Sequence, residues 1–346
     1  MSRLSAWLAE RAPINLDALS DLTNEPVPGH LRRWWFALGG TAAFLFAIQI
    51  LTGILLLFYY VPEPGRAYDS VRHITQQVPF GWWIRSLHKW AASGMIVAVC
   101  LHTLRVFFTG SYRKPRELTW VVGCLLLFVT LATGLTGYSL VYEQLSYWGA
   151  TVTANLAGAL PWIGGFLARL IRGGDDLGPA TLTRFFVLHA AILPVCIGLL
   201  VVLHIVFVRL HGVSEFRFER DPDEPRTFPL IPDHVLTELS IVLVLLILLN
   251  VLAVLHPAGL GERANPQVTP AHIRPEWYFY FAFRWLKLTS LRIGVLGTFT
   301  AALIMLFWPA VDAGLRRVSP GRDLSLFFGI AATLVVVVFT VWEALV

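Results

Sequence analysis

WWIRSLHKWAASGMIVAVCLHTLRVFFT, residues Trp82 to Thr109, decides how the chain is read. It is apolar enough and long enough to cross a bilayer, which takes about 20 residues. It also carries two histidines, His88 and His102, which a helix facing only lipid has no reason to hold. They stand fourteen residues apart. That is four turns less roughly 40°, so both rings leave nearly the same face, about 21 Å apart along the axis. A second apolar stretch, Phe185 to Arg209, repeats the arrangement with His189 and His204, fifteen residues apart. Four turns plus roughly 60° keeps those rings on one half of the helix. Two such helices running in the same direction set His88 level with His189, and His102 level with His204.

The composition agrees with a membrane setting. Of 346 residues, 56 % are hydrophobic and 14 % charged, against about 25 % charged in an ordinary soluble domain. The net charge of +5 is spread over loops and leaves no nucleic-acid footprint. Cys100, Cys124 and Cys196 all lie in apolar segments, and no CxxC or CxxCH occurs. Covalent c-type haem and cysteine-ligated zinc or iron–sulfur sites therefore have no support. Met1 to Trp34 is polar, with charges of both signs and no apolar run, so no cleavable signal is expected.

The pattern predicts an all-α polytopic membrane protein of seven transmembrane helices. The spans run Leu38–Tyr60, Trp83–Thr109, Leu118–Val141, Phe185–Arg209, Leu236–Leu255, Ile293–Val311 and Leu324–Leu345. The larger share of the Lys and Arg residues falls on the side of the N-terminus, which the positive-inside rule makes cytoplasmic. Residues 1–210 form an N-terminal four-helix domain, and 211–235, with DPDEPRTFPLIPD, a linker. Residues 236–346 form a three-helix domain. Two long connections lie on the other side. The one from Tyr142 to Thr183 predicts an amphipathic hairpin along the membrane surface. The one from His256 to Leu288 contains PEWYFYFAF.

Two imidazoles at each of two levels suit two bis-histidine b-type haems, with no open coordination position and hence electron transfer rather than oxygen binding. Zinc would want three or four ligands per site. Glycines share the pitch: Gly39 and Gly53 in the first span and Gly123 and Gly137 in the third are each fourteen apart. Glycine lets a bulky partner approach a helix backbone, here two porphyrin faces. Arg85, one turn before His88, and Arg105 with Arg113 and Lys114 are placed either to pair with haem propionates or to snorkel to the surface.

With these residues on view, the chain resembles the cytochrome b of Rieske/cytochrome b (bc1/b6f-type) quinol oxidoreductase complexes. It is most similar to cytochrome b6 joined to subunit IV. The resemblance runs from about Asp21 to the last helix. It is carried by VPGHLRRWWFALGG, WIRSLHKWAAS, LHTLRVFFTGSYRKPRELTW, TGYSL, YWGAT, TPAHIRPEWY and the four histidines. It implies a quinol-oxidation pocket walled by Tyr138, Gly149, Pro275, Glu276, Trp277 and Tyr278, with Glu276 accepting a proton near His88 and His189. A carboxyl among aromatics at a membrane interface suits that role by its raised pKa, and capping of the short helix after Pro275 is its structural alternative. The resemblance also implies a quinone-reduction site near His102 and His204 with Asp21 and Arg209, where a surface salt bridge is the alternative. It implies a Rieske iron–sulfur protein and a cytochrome c-type subunit as partners, a homodimeric complex, and a bacterial plasma membrane.

The departures are specific. Val141, Tyr142, Glu143 and Gln144 stand where the family has proline, tryptophan, aspartate or glycine, and glutamine. Ala37 stands where b6 proteins attach a third haem to cysteine, so a covalently bound third haem is not expected. The function expected is quinol oxidation on the positive side, electron transfer through two haems, and quinone reduction on the negative side, coupled to proton translocation. The rival is a di-haem membrane anchor of a periplasmic dehydrogenase or hydrogenase, which has no use for a PEWY pocket.

Overall fold

The computed structural model describes residues 26–214 and 227–346. Asp21 and the central part of the linker lie outside the described residues. The helices are α1 (Leu38–Leu57), α2 (Ala67–Gln76), α3 (Gly81–Phe108), α4 (Glu117–Leu140), α5 (Gln144–Gly158) and α6 (Gly164–Arg172). They continue with α7 (Pro179–His211), α8 (Val235–Leu255), α9 (Tyr280–Leu288), α10 (Leu291–Leu306), α11 (Trp308–Val318) and α12 (Leu324–Leu345). A short antiparallel ladder joins β1 (Pro26–Pro28) to β2 (Thr227–Pro229), fastening the segment before α1 to the segment before α8.

Six of these helices are long and apolar enough to span a membrane, and the architecture is that of an all-α, multi-pass membrane protein. The sixth expected span, Ile293–Val311, is broken. α10 ends at Leu306 and α11 leaves it at 76°. Pro309 has no N–H to return to the Met305 carbonyl, so the helix cannot run on straight through Val311. That carbonyl instead accepts the indole N–H of Trp120 at 2.8 Å.

α7 carries a second irregularity that matters more. Leu188–Ile192 is a wide π turn, with Leu193 N–H donating to the Leu188 carbonyl. Pro194 follows and lacks the donor that would close the normal turn. A π turn absorbs one extra residue. The fifteen residues from His189 to His204 therefore keep step with the fourteen from His88 to His102.

Leu45, Leu87, Ala91, Met95, Ile197, Leu249 and Ala253 form one buried cluster that draws α1, α3, α7 and α8 together. Ala91 and Ala253 have no exposed surface, the small residues letting neighbouring helices close up. A second cluster, Tyr112, Trp120, Cys124 and Trp308, joins the far end of α3 and α4 to α11. Beside it Arg113 pairs with Asp312 and Asp323, both at 3.0 Å. On the opposite end lie α2 and the hairpin of α5 and α6. α2 buries Ala67, Val71 and Ile74 on one face, and α6 stops where Gly173 turns left-handed at φ +80°.

Candidate functional site

The four helices bring the histidines together in two pairs. The His88 and His189 ring centres are 6.2 Å apart with planes at 75°. Those of His102 and His204 are 6.5 Å apart at 71°. One metal ion bound by two imidazoles at about 2 Å each would set ring centres roughly 6 Å apart. Among the described residues no group of three or more His, Cys, Asp and Glu converges as a zinc site requires.

The glycines turn out to face the imidazoles. A Cβ on Gly53 would sit 3.3 Å from His88, and one on Gly39 3.3 Å from His102. A Cβ on Gly123 would come within 3.4 Å of His204, and one on Gly137 would run into the His189 ring. The expected role of these residues was room for porphyrin faces. The contact the structure shows is a seat for each histidine, and room for the porphyrin faces is part of the proposal below.

Hydrogen bonds orient the first pair. Thr52 donates to the Ile48 carbonyl at 2.6 Å, so its oxygen accepts from His88 Nδ1–H at 2.8 Å. His189 Nδ1–H donates to the Thr133 carbonyl at 3.0 Å, with the Thr136 oxygen at 3.4 Å. Both rings then carry a free lone pair on Nε2. The second pair differs. An Arg105 guanidinium nitrogen stands 3.4 Å from His102 Nδ1. His204 Nδ1 faces the Thr119 carbonyl outside hydrogen-bonding geometry. Thr52, Thr133 and Thr136 were not singled out in the sequence, although the Thr-Gly dipeptides 52–53 and 136–137 were there to be noticed.

The basic residues separate. Arg105 Nε is buried with no hydrogen-bond partner, its guanidinium 5.1 Å from the Phe36 ring centre. A buried cation with an unanswered donor fits a carboxylate such as a haem propionate. Arg85 instead holds the loop after α8, donating to the carbonyls of Ala258 at 2.8 Å and Gly259 at 2.7 Å. Lys114 is exposed, and Arg209 is exposed in the last turn of α7.

Pro275 to Tyr278 packs on α3 and α4, the helices that carry His88 and the glycine seating His189. Glu276 opens the turn Trp277–Phe279, and its side chain makes no capping hydrogen bond. Trp277 donates to Ser93 of α3 at 3.4 Å. The Tyr278 hydroxyl lies 2.9 Å from where a Cβ on Gly134 would be, and Tyr138 covers Gly149 in the same manner at 3.3 Å. Burial holds the Glu276 carboxyl above the usual carboxylate range; Lys89 opposes that and the Glu143 charge adds to it. Burial, and then the Glu276 charge, push the Tyr278 hydroxyl up, so it stays protonated. Tyr138 lies within reach of the same carboxyl.

The departure at Val141 to Gln144 acquires a use. Glu143 accepts Gly261 N–H at 2.6 Å, and Gln144 accepts Asn265 N–H at 2.6 Å and receives the Glu262 carbonyl on its own N–H at 2.8 Å. These two side chains tie the start of α5 to the loop that leads into Pro275. Sequence reading did not find this clamp, because its partners lie over a hundred residues away.

A membrane-spanning helical bundle with two levels of facing imidazoles is the architecture of a b-type membrane cytochrome. Family models described as "Cytochrome b/b6/petB" and "Cytochrome b(C-terminal)/b6/petD" match residues 22–212 and 263–345. The chain belongs to the cytochrome b/b6 family, in the form that joins a b6-like part to a subunit IV-like part. It is 46 % identical to the cytochrome b6 of Heliobacterium mobile over 60 % of this chain and 98 % of that one. It is 36 % identical to the cytochrome b/c1 of Bradyrhizobium diazoefficiens over 93 % of its own length, and it spans 48 % of that relative. A solved structure titled "Hyperthermophilic respiratory Complex III" superposes with a TM-score of 0.80 at 29 % identity, over 97 % of this chain and 96 % of that one. Membership of the family implies b-type haem. The two facing imidazole pairs, the free Nε2 lone pairs of His88 and His189, and the unanswered donor of Arg105 fit that group.

Proposed function

We propose that the chain is the di-haem cytochrome b subunit of a quinol:cytochrome c-type oxidoreductase in a bacterial plasma membrane. His88 with His189, and His102 with His204, would each hold one b haem. Bound haem supplies one-electron chemistry without an open coordination site, and so a route for electrons across the bilayer. Gly39, Gly53, Gly123 and Gly137 seat the imidazoles and leave room for the porphyrin faces, and Arg105 answers a propionate.

The observation that carries the reading is the meeting of Glu276, Tyr278 and Tyr138 beside the first histidine pair. Tyr138 follows Gly137, which seats His189, and Lys89 follows His88. A quinol in this pocket would donate its hydroxyl proton to a Glu276 carboxylate oxygen. Burial raises the pKa of that carboxyl, which makes it a better proton acceptor than an exposed carboxylate. Tyr278, kept protonated, orients the quinol as a hydrogen-bond donor. Pro275, Trp277 and Gly149 wall the site against water. Arg209, together with Asp21, would bind quinone on the opposite side. Of the quinol's two electrons, one would leave to a Rieske protein and on to a cytochrome c-type subunit and the other would be taken up by the haem chemistry at His88 and His189, in a homodimeric complex bathed in lipid. Each charge moved works against about 2.3 kcal/mol per 100 mV, which couples quinol oxidation to a proton gradient. A dehydrogenase anchor would need no such carboxyl.

Glu276→Gln tests this. In the purified complex, quinol-driven haem reduction should fall by about 10²-fold or more while visible spectra stay intact. Unchanged quinol oxidation would contradict the assignment.

A further inference from the structure

α12 crosses the membrane with one charged side chain, Glu343, in its final turn. That residue has 0 % exposure, and both cations that meet it come from α9. Lys287 Nζ donates to Oε1 at 2.6 Å. Arg284 Nε lies 3.0 Å from Oε2, an ionic contact outside hydrogen-bonding geometry. Arg284 is itself buried, its guanidinium 4.4 Å from the Trp342 ring centre, and the Lys287 ammonium sits 4.4 Å from the Phe283 ring centre. An aromatic ring thus flanks each cation, while Lys287 stays part-exposed.

A carboxylate removed from water, held by a buried Arg284 and a part-exposed Lys287, resists sliding. Any shift of α9 along α12 would leave a buried charge without its partner, which is far costlier than losing an exposed pair. The lock is close to the pocket. α9 begins two residues after Tyr278, and α12 packs on the Trp277–Phe279 turn as well as on α9. The register of α9 on α12 therefore sets where Glu276 and Tyr278 stand relative to Tyr138 on α4. None of the four paired histidines lies on α9 or α12.

We propose that Glu343 is a positioning residue for quinol oxidation, acting through Arg284 and Lys287 to fix the PEWY turn against Tyr138. The inference rests on the pocket proposed above. The experiment uses the complete complex and compares Glu343→Gln, Glu343→Asp, Lys287→Met and Glu276→Gln for kcat and KM with quinol and for haem content and spectrum. Displacing reacting groups by about 1 Å can cost up to 10²-fold, so Glu343→Gln should lower kcat about tenfold with both haems retained. Glu343→Asp, which keeps the charge, should recover most of that loss, and Lys287→Met should show a smaller fall of the same sign. Should Glu343→Gln fail to assemble, Lys287→Met decides alone. Full activity in Glu343→Gln, or in Lys287→Met, beside a slowed Glu276→Gln overturns the inference and leaves the pocket standing. Equal loss in Glu343→Gln and Glu343→Asp, accompanied by lost haem, shows mere stability and overturns it too. Full activity in Glu276→Gln removes the pocket and the inference with it.

Discussion

The two histidine levels are built on one plan and finished differently. At both, a glycine of α1 and a glycine of α4 seat the rings that come from α3 and α7. Beside Glu276 each of those glycines follows a threonine, Thr52 and Thr136, whose oxygens lie at the imidazole Nδ1 atoms. At the opposite level the preceding residues are Leu38 and Val122, which offer no hydrogen bond, and Arg105 brings a positive charge to His102. Imidazoles that donate from Nδ1 become better electron donors to a metal and favour its oxidised state. A neighbouring cation favours the reduced state. If each pair holds a haem as proposed, the level across the membrane from Glu276 would be the more oxidising of the two.

The largest effect expected from disturbing this comparison is at Gly137. Gly137→Ala places a Cβ inside the His189 ring position, and haem content of the purified chain should fall toward one per chain. Gly123→Ala, where the same atom would have 3.4 Å, should keep both. Equal retention would show that the seats do not differ. The next effect separates the levels by potential. Thr52→Val removes one hydrogen bond, about 1 kcal/mol, and should raise one midpoint by about 40 mV. Arg105→Leu should lower the other midpoint, and a redox titration resolves the two. If both substitutions move the same component, the asymmetry is misassigned. The smallest effect concerns pH. Lys89 favours the ionised form of Glu276, so Lys89→Met raises that pKa further. Glu276 accepts a proton only when ionised, so the acid limb of quinol oxidation should move to higher pH. The shift should be small, since Lys89 is exposed. A move to lower pH would count against Glu276 as the acceptor.

The histidine pairs were legible in the sequence because helical period converts spacing directly into a shared face. The reason for fifteen residues rather than fourteen in α7 was not, since it needs the π turn ahead of Pro194. Pro309 was visible inside an apolar run, but whether a proline kinks a membrane helix or ends it depends on what satisfies the freed carbonyl. Here that is Trp120, 185 residues away in sequence. Glu143 read as a departure from a family pattern, and its link to Gly261 exists only in the folded chain. Glu343 stood alone in an apolar helix, which marks an intramembrane charge as meaningful without naming Arg284 and Lys287 as its partners. Periodic features could be read, and through them the histidine pairs; the other contacts between distant segments could not.

The central claim is that each histidine pair holds its own b haem. The direct measurement is haem per chain by pyridine haemochrome in the wild type, His189→Ala and His204→Ala. The account predicts two, one and one, with each variant losing a different component of the redox titration. Two haems retained in either variant, or the same component lost from both, would contradict it.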